Sequence, residues 1–283
     1  MVSSNPSPII CADKPLTREN PPLILIRGGG DLASGVALRL WKAGFRVAIT
    51  ELPQPLAVRR LVSFAEAVYA KRVMIEGVVG ELVEEPEDAI QFLRSGWIPV
   101  IVDPDLKLLP NLTFSALIDA RMKKEGNVDN CCEGLVIGLG PGFTAGGNCH
   151  AVVETMRGPF LGRVYWAGSA ISDTGIPESV SGYKGERVLR AIEEGMFIAR
   201  SHIGEQVRKN QILGAVNETH ILAPFDGVVR GLIKDGIFVV PGTKVGDVDP
   251  RCDCRLCTLV SDKALAVGGG VLEALLTPEA LRF

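Results

Sequence analysis

The stretch from Leu23 to Leu52 constrains the fold more than any other part of this chain. It opens with an apolar run, 23–26, that suits a buried parallel strand. Three glycines follow at 28–30, where the chain must turn sharply into a helix. A second apolar strand, 46–50, is closed by Glu51. This order of strand, glycines, helix, strand and acid predicts the first βαβ unit of a Rossmann-like parallel sheet.

The glycines of this unit predict a phosphate-binding turn. Glycine lets the backbone approach a phosphate closely, and the free N–H groups at a helix start attract an anion. Glu51 follows Gly30 by 21 residues, close to the spacing of about 20 at which a carboxylate accepts hydrogen bonds from ribose hydroxyls. Asp31 departs from the pattern, because it puts a carboxylate where the phosphate would lie. The alternative is a scaffold whose glycines only pack helix against strand. The predicted cofactor-binding residues of this unit are Arg27, Gly28, Gly29, Gly30, Asp31 and Glu51.

Strands and helices continue to alternate after Glu51. The segment Leu56–Tyr69 has a helical pattern, with Arg59 and Arg60 near its start. These two arginines face either a phosphate or carboxylate near the glycine turn, or solvent, which the sequence leaves open. Further strands are predicted at 72–79 and 97–102, and a helix is predicted at 86–95. The segment 116–122 is predicted to be another strand or a strand-to-helix junction.

A second strand followed by glycines lies between Leu135 and Gly147. The loop after this strand offers unhindered backbone N–H groups at the carboxyl edge of the sheet, where ligands of open α/β sheets bind. Gly140 and Gly142 are therefore predicted cofactor contacts. A glycine-rich linker between domains is the alternative.

From about residue 149 short strands and turns predict a β-rich second domain, and part of it is an internal repeat. Residues 204–216 align with residues 236–248 at an offset of 32. Asn210 and Gly242 occupy the same place in the two copies and both tolerate a left-handed turn, which predicts strand, tight turn and strand in each copy.

The repeat region, 204–248, resembles the hammerhead of the biotinyl and lipoyl carrier domains. Those domains attach their cofactor to a lysine at the hairpin tip before the Ala-Pro-x-x-Gly segment. This chain has Asn-Glu-Thr-His at 217–220 in that place. We therefore expect a barrel-sandwich module without covalent biotin or lipoate.

Cysteine and histidine spacing leaves metal binding by three cysteines open, and it identifies no catalytic group. Cys252, Cys254 and Cys257 could supply most of a zinc or iron–sulfur site, but the fourth ligand would have to come from elsewhere. Cys149 and His150 are adjacent, and neighbouring side chains in a strand point to opposite faces, so we expect two unrelated packing residues. No catalytic triad is recognisable, and whether the protein is an enzyme is left open.

Composition limits the classes of partner. A net charge of −3 and a pI near 5.8, without a basic run, exclude nucleic acid and anionic membrane surfaces as expected partners. No run reaches the roughly 20 apolar residues of a membrane span. Seven cysteines without a disulfide-scaffold pattern suit a reducing cytoplasm.

The 283 residues are expected to form two domains with adequate cores, since 47% of them are hydrophobic. We predict a mobile tail at 1–20, a Rossmann-like parallel-sheet domain at 21–148 and a β-rich domain with the barrel-sandwich module at 149–260. The segment 261–283 is expected to return to the first domain, with a third glycine loop at 268–270 or a flexible turn in its place.

Four segments together resemble a known family. They are Arg27–Gly35, Gly138–Gly146, Asp247–Arg251 and Asp262–Glu273. From about residue 22 to residue 276 the chain is similar to the YqeB family of selenium-dependent molybdenum hydroxylase accessory proteins.

The resemblance implies a cytoplasmic accessory protein in the maturation of a molybdenum hydroxylase. It implies a nucleotide or molybdopterin-type ligand, bound without a covalent link at the glycine turn, and the hydroxylase or its maturation proteins as partners. Two alternatives remain open: an NAD(P)-dependent oxidoreductase with Glu51 on the ribose, and a non-catalytic interaction protein that uses the barrel-sandwich module. The oligomeric state is not predicted.

Overall fold

The computed structural model describes residues 21–85, 87–107, 113–122, 134–172, 182–183 and 185–282. The predicted tail, 1–20, lies outside the described residues. The described chain forms a mixed α/β fold with one large, mainly parallel sheet and smaller antiparallel sheets. Within these residues no helix has both the length and the apolar character needed to cross a membrane.

Among its described residues, the first domain contains eleven strands and three helices before the chain enters the second domain. The strands are β1 Leu23–Arg27, β2 Arg46–Glu51, β3 Arg72–Ile75, β4 Val78–Val83, β5 Ile98–Val102, β6 Ala116–Asp119, β7 Leu135–Leu139, β8 Thr144–Ala145, β9 Ala151–Val153, β10 Val164–Tyr165 and β11 Gly168–Ser169. The helices are α1 Asp31–Lys42, α2 Ala67–Ala70 and α3 Asp88–Arg94. The predicted strand at 97–102, the strand alternative at 116–122 and the predicted helix at 86–95 are thereby confirmed to within a few residues.

Nine of these strands form one sheet in the order β10-β9-β7-β6-β1-β2-β5-β4-β3. The pairs from β9 to β4 are parallel, and the outermost strands β10 and β3 are antiparallel to their neighbours. Along the chain the sheet grows outward from β1 towards β5 and then from β1 towards β9. The topological switch point, where ligands of such sheets bind, therefore lies between β1 and β6.

The boundary expected at 148–149 lies inside this sheet. β9 pairs in parallel with β7, and β10 pairs with β9, so the chain from 151 to 165 still belongs to the first domain. Short buried strands at a sheet edge look the same in sequence whether they extend one sheet or begin the next, which is why the boundary was placed too early.

A final helix, α4 Asp262–Leu276, packs against α1 on one face of the large sheet. The contact is close because both helices use glycine there. A Cβ at Gly35 would lie 2.7 Å from the backbone carbonyl of Ala264, and one at Gly268 would lie 2.8 Å from the carbonyl oxygen of Gly35. The predicted glycine loop at 268–270 is therefore wrong, because the three glycines lie inside α4. Two of them, Gly268 and Gly270, allow the backbone of a neighbouring segment to pack closely against the helix.

The segment Leu56–Tyr69 was also predicted incorrectly as one helix. It contains two short 3₁₀ turns, Arg60–Val62 and Phe64–Glu66, followed by the single turn of α2. Tertiary contacts explain the broken geometry, because the backbone N–H of Ala65 donates to Gly29 and the carbonyl of Val58 accepts from Leu232 in the second domain.

The second domain consists of two four-stranded antiparallel sheets with a common core. Its strands are β12 Val188–Arg190, β13 Gly195–Ala199, β14 Gln206–Val207, β15 Ile212–Val216, β16 Thr219–Leu222, β17 Gly227–Leu232, β18 Ile237–Val239 and β19 Lys244–Asp249. One sheet has the order β12-β19-β17-β14 and the other has the order β16-β15-β13-β18.

The internal repeat extends further than the sequence indicated. Adding 32 to the residue numbers of β12, β13, β14 and β15 gives positions in β16, β17, β18 and β19, respectively. When each strand is replaced by its equivalent in the other copy, the strand order of one sheet becomes that of the other. The repeat therefore begins near Val188 and not at Gly204. Even an irregularity is repeated, since the strand register skips Leu213 in one copy and Val245 in the other.

The core of the second domain follows the same equivalence. The predicted left-handed turns are confirmed, with φ of +67° at Asn210 and +86° at Gly242. Equivalent buried pairs are Leu189 and Ile221, Ala191 and Ala223, Phe197 and Val229, Val207 and Val239, Leu213 and Val245, and Val216 and Val248.

The α1–α4 contact predicts opposite effects of two glycine substitutions. Gly35→Ala should lower the free energy of unfolding by about 1–3 kcal/mol, because the added methyl group forces the helices apart. Gly269→Ala should raise it by up to about 1 kcal/mol, because this α4 glycine is exposed with open space around it and alanine is the better helix former. Urea denaturation of both variants checks this, and a Gly35→Ala protein as stable as the parent would contradict the packing described.

Candidate functional site

Buried charged side chains line the carboxyl edge of the large sheet. Arg27, Glu51 and Asp119 are the last residues of β1, β2 and β6, while Asp103 and Glu154 directly follow β5 and β9. All five are at most 9% exposed. Charged groups are rarely buried without a partner or a function, so this edge is the natural place to search for a site.

Glu51, predicted to face a ribose, instead closes the glycine turn. Its carboxylate accepts from the backbone N–H of Gly29 at 2.6 Å and from that of Leu52 at 2.7 Å. Burial raises the pKa of Glu51, and the two N–H groups partly oppose that rise. Both carboxylate oxygens are thus occupied by the protein's own backbone.

The glycine turn has one closed side and one open side. On the closed side, a Cβ at Gly29 would lie 2.9 Å from the backbone nitrogen of Ala65. Gly28 has φ of +93° and lies against Ala120 at the end of β6, which is the switch point. Gly30 has an ordinary φ of −68°, and a Cβ there would meet nothing within 4 Å. The open side is therefore at Gly30 and the first turn of α1.

Arg59 joins the start of α1 to the second domain. Its guanidinium binds both carboxylate oxygens of Asp31, at 3.0 and 2.9 Å. It also donates to the carbonyls of Leu256 and Leu259, at 3.1 and 2.8 Å. The side chain is only 5% exposed. Of the two roles left open for Arg59, the carboxylate contact beside the glycine turn is therefore confirmed, whereas Arg60 pairs with Glu66 and the Leu232 carbonyl.

Charged side chains of the second domain meet this ion pair. We call the set the interdomain charge cluster: Asp31, Arg59, Arg187, Arg230, Lys244, Asp247 and Asp249. An Arg187 nitrogen lies 3.1 Å from an Asp247 oxygen, and an Arg230 nitrogen lies 3.5 Å from the other Asp247 oxygen. The carboxylates of Asp247 and Asp249 are almost completely buried. Four cations therefore face three carboxylates, and Asp249 is bound additionally by Arg251.

The electrostatics of the cluster reflect this crowding. Burial lowers the pKa of Arg230, the charge of Arg59 lowers it further, and Asp247, Asp249 and Asp31 partly restore it. Burial likewise lowers the pKa of Lys244, against the opposing influence of Asp247 and Asp31. Because Asp31 acts on both cations, the charged strands of the second domain face the start of α1.

Sequence reasoning missed Arg187, Arg230 and Lys244, and found Asp247 and Asp249 only through the family resemblance. The signal that would have revealed them is the difference between the repeat copies. At an offset of 32, Arg230, Lys244, Asp247 and Asp249 replace Ile198, Ile212, Ala215 and Asn217. Charges introduced into one copy of an otherwise apolar repeat indicate a surface with a separate role.

The second glycine loop is packed on itself. Gly140 and Gly142 have φ of +72° and +100°, which explains why glycine is needed there. The N–H of Gly140 donates to Val153, and Phe143 is buried against Gly138. Contact of Gly140 and Gly142 with a cofactor stays a prediction.

The cysteines and the histidine singled out by sequence differ in burial and in hydrogen bonding. Cys149 is buried in the core, and the Nδ1 of His150 accepts from the backbone N–H of Val136. Cys252 and Cys254 are exposed, while Cys257 is buried beside the Val229 carbonyl. Among the described residues, no group of three or more His, Cys, Asp or Glu side chains is arranged to hold a metal ion.

Thiol reactivity should divide these cysteines into two classes. Burial raises the pKa of Cys149 to about 11, so little thiolate forms at pH 8. We expect iodoacetamide to label Cys252 and Cys254 rapidly and to leave Cys149 and Cys257 unlabelled in the folded protein. Peptide mass spectrometry gives the result, with labelling in urea as the control. Equal labelling rates for Cys149 and Cys252 under native conditions would contradict the burial of Cys149.

Two of the solved proteins found by structural comparison have low TM-scores. An aspartoacylase family protein from Mesorhizobium loti gives a TM-score of 0.25 at 10% identity, over 81% of this chain and 84% of that chain. A succinylglutamate desuccinylase/aspartoacylase from Rhodobacter sphaeroides gives 0.23 at 12% identity, over 81% of this chain and 86% of that chain. No protein-family model matches the sequence.

Sequence comparison finds a relative in Escherichia coli (strain K12) named Uncharacterized protein YqeB. The two are 43% identical over 265 residues, which are 93% of this chain and 49% of the relative. The chain thus spans about half the length of the curated relative it matches. Over those 265 residues, the similarity supports the YqeB family for this chain.

Proposed function

We propose that this protein is a cytoplasmic accessory protein for the maturation of a selenium-dependent molybdenum hydroxylase. In this proposal it binds a nucleotide or molybdopterin-type cofactor, without a covalent link, between Gly30 of the glycine turn and the interdomain charge cluster, a region that we call the cleft. The family resemblance supplies the pathway and the cofactor class. The interdomain charge cluster supplies the physical support, because it brings four cations and three carboxylates together beside the start of α1, near the switch point of a parallel sheet.

The residues present suit such a ligand. The space beside Gly30 is open to a group that a side chain would otherwise fill. The cleft also contains Nε atoms of Arg59, Arg187 and Arg230 that are buried and have no hydrogen-bond partner among the described residues. Buried donors in native proteins are usually satisfied, so unsatisfied donors beside an open cleft favour an anionic ligand.

An NAD(P)-dependent oxidoreductase is the weaker alternative. That site needs a carboxylate at the end of β2 that is free to bind a ribose. Glu51 occupies this position, but both of its oxygens accept backbone N–H groups. Binding of a nicotinamide cofactor would require Glu51 to leave the glycine turn.

A docking role for the second domain has its own observation. The paired sheets of the repeat support the barrel-sandwich interpretation, and the outer face of one sheet is exposed and apolar. Its exposed side chains, each 40–55% exposed, are Met196, Ile198, Ile212, Leu222 and Phe238. Exposed apolar patches of this kind mark protein interaction sites. We propose this face as the contact for the hydroxylase partner.

Gly30→Val tests the cofactor proposal directly. Valine fits the backbone of Gly30 without a clash, so the variant should fold normally while its side chain fills the open side of the turn. We expect native mass spectrometry of protein from its own cells to show a bound ligand on the parent and at least a tenfold loss on the variant. Gly269→Val, at an exposed α4 glycine with equal space, is the control. Full ligand retention by Gly30→Val would refute the proposal.

Ile198→Arg tests the docking face. It places in the first repeat copy the residue type that the second copy has at position 230. Binding to the purified molybdenum hydroxylase, measured by surface plasmon resonance, should weaken at least tenfold, since a charge then enters the apolar contact. Met74→Arg, at a position on β3 that is 70% exposed, should have no effect. Unchanged binding by Ile198→Arg would exclude this face as the contact.

A further inference from the structure

Arg230 is a buried cation of the interdomain charge cluster that has ion pairs but no hydrogen bond among the described residues. Its side chain is 11% exposed, and the nearest carboxylate oxygens, from Asp247 and Asp249, lie at 3.5 and 3.7 Å. None of the described residues accepts a hydrogen bond from its guanidinium, and its Nε is fully buried. A guanidinium carries five donors, and burying them without acceptors is costly.

A β-bulge directs Arg230 towards the cleft. The pairing of β17 with β19 shifts register between Val229 and Gly231, which leaves Arg230 as the extra residue. Bulges of this kind often re-aim a side chain beside a functional site. The corresponding residue of the first repeat copy, Ile198, lies in the regular pairing of β13 with β15. The bulge is therefore specific to the charged copy.

Lys244 is a second cation of the cluster that makes no hydrogen bond among the described residues. Its ammonium makes no hydrogen bond and no ion pair with the described residues, although it is half-buried on β19. Burial lowers the pKa of Lys244, the carboxylates of Asp247 and Asp31 partly restore it, and Arg187 and Arg230 lower it further. Two neighbouring, poorly solvated cations repel each other unless an anion lies between or beside them.

Asp31 makes the glycine turn itself a poor anion site. Its carboxylate is the first residue of α1 and is held there by Arg59. A carboxylate at a helix start already satisfies the positive end of the helix dipole. The anionic part of a ligand in this cleft therefore needs cations from elsewhere, and the second domain presents them on the opposite wall.

We propose that Arg230 and Lys244 form a subsite for a phosphate group, which places the phosphate of the ligand on the second domain and the rest of the ligand beside Gly30. This inference rests on the proposed function for the identity of the ligand, but the subsite itself requires only phosphate chemistry. The planar fork of an arginine combined with the point charge of a lysine suits a tetrahedral dianion. Free phosphate and a phosphate ester share this chemistry.

Calorimetric titration with inorganic phosphate and with adenosine monophosphate tests the subsite, at constant ionic strength set with chloride. Both probes should bind the parent protein. Lys244→Met and Arg230→Met should each weaken both by at least tenfold. Lys209→Met, at an exposed lysine in a turn of the same domain, should match the parent. Adenosine monophosphate binding more tightly than phosphate identifies an ester as the source, and equal affinity identifies free phosphate; either supports the subsite.

Lys244→Met also separates ligand binding from structural support. Because Lys244 makes no hydrogen bond or ion pair within the described part of the chain, its replacement should leave the midpoint of urea unfolding without phosphate unchanged. It should also remove the increase in midpoint that phosphate causes in the parent. Undiminished phosphate binding by Lys244→Met would overturn the subsite, as would acetate binding as tightly as phosphate to the parent.

Gly30→Val distinguishes failure of the subsite from failure of the proposed function. This variant should weaken adenosine monophosphate and leave inorganic phosphate within twofold of the parent, because only the larger ligand reaches Gly30. If Lys244→Met loses phosphate while Gly30→Val keeps its cellular ligand, the subsite stands and the proposed cofactor site fails. If Gly30→Val loses its ligand while Lys244→Met binds phosphate normally, the subsite fails and the cofactor proposal stands.

Discussion

The hydrogen bonds of Arg59 hold the two halves of the cleft together. One guanidinium binds the carboxylate that begins α1 and two carbonyls of the segment that leads to α4. A charge this deeply buried is tolerated only when its donors are used, and removal of one partner from such a group typically costs about 3–5 kcal/mol. Val58 and Arg60, the two chain neighbours of Arg59, both hydrogen-bond to the backbone of Leu232 in β17. The same short segment therefore also sets the position of β17. The segment around Arg59 therefore contacts both the glycine turn and the charged strands of the second domain, and it holds the two opposite each other.

The second domain shows how a repeated scaffold acquires two different surfaces. The equivalent core positions of the two copies are apolar and buried, so the fold does not distinguish them. The outward positions do differ, because one copy presents isoleucine where the other presents Arg230 and Lys244. The apolar surface remains exposed, and the charged surface is turned towards the first domain. Packing thus determines the fold of both copies, and a few outward side chains determine what each surface can bind.

Local pattern was enough to predict β1, α1 and β2, because the apolar run, the glycines and the helical spacing act within about 30 residues. The left-handed turns at Asn210 and Gly242 were predictable for the same reason.

The role of Glu51 was not predictable, because its hydrogen-bond partner is the backbone of a turn 22 residues away. A carboxylate that accepts from a ribose and one that accepts from a turn look the same in sequence. The glycines at 268–270 were misread as a loop because only the distant α1 explains why a helix would contain them. The charge cluster unites residues from 31 to 249, and pairs so far apart leave no periodic signal.

A double-mutant cycle on Asp31 and Arg59 tests most directly whether their ion pair holds the segment around Arg59 at the start of α1. Unfolding free energies would be measured for Asp31→Asn, Arg59→Met and the double variant. The structure predicts that Arg59→Met is the more damaging single change, because it also frees the carbonyls of Leu256 and Leu259. It predicts a coupling energy of about 1–3 kcal/mol between the two positions. Single effects that add to within about 0.5 kcal/mol would contradict the ion pair as the contact that holds this segment at the start of α1.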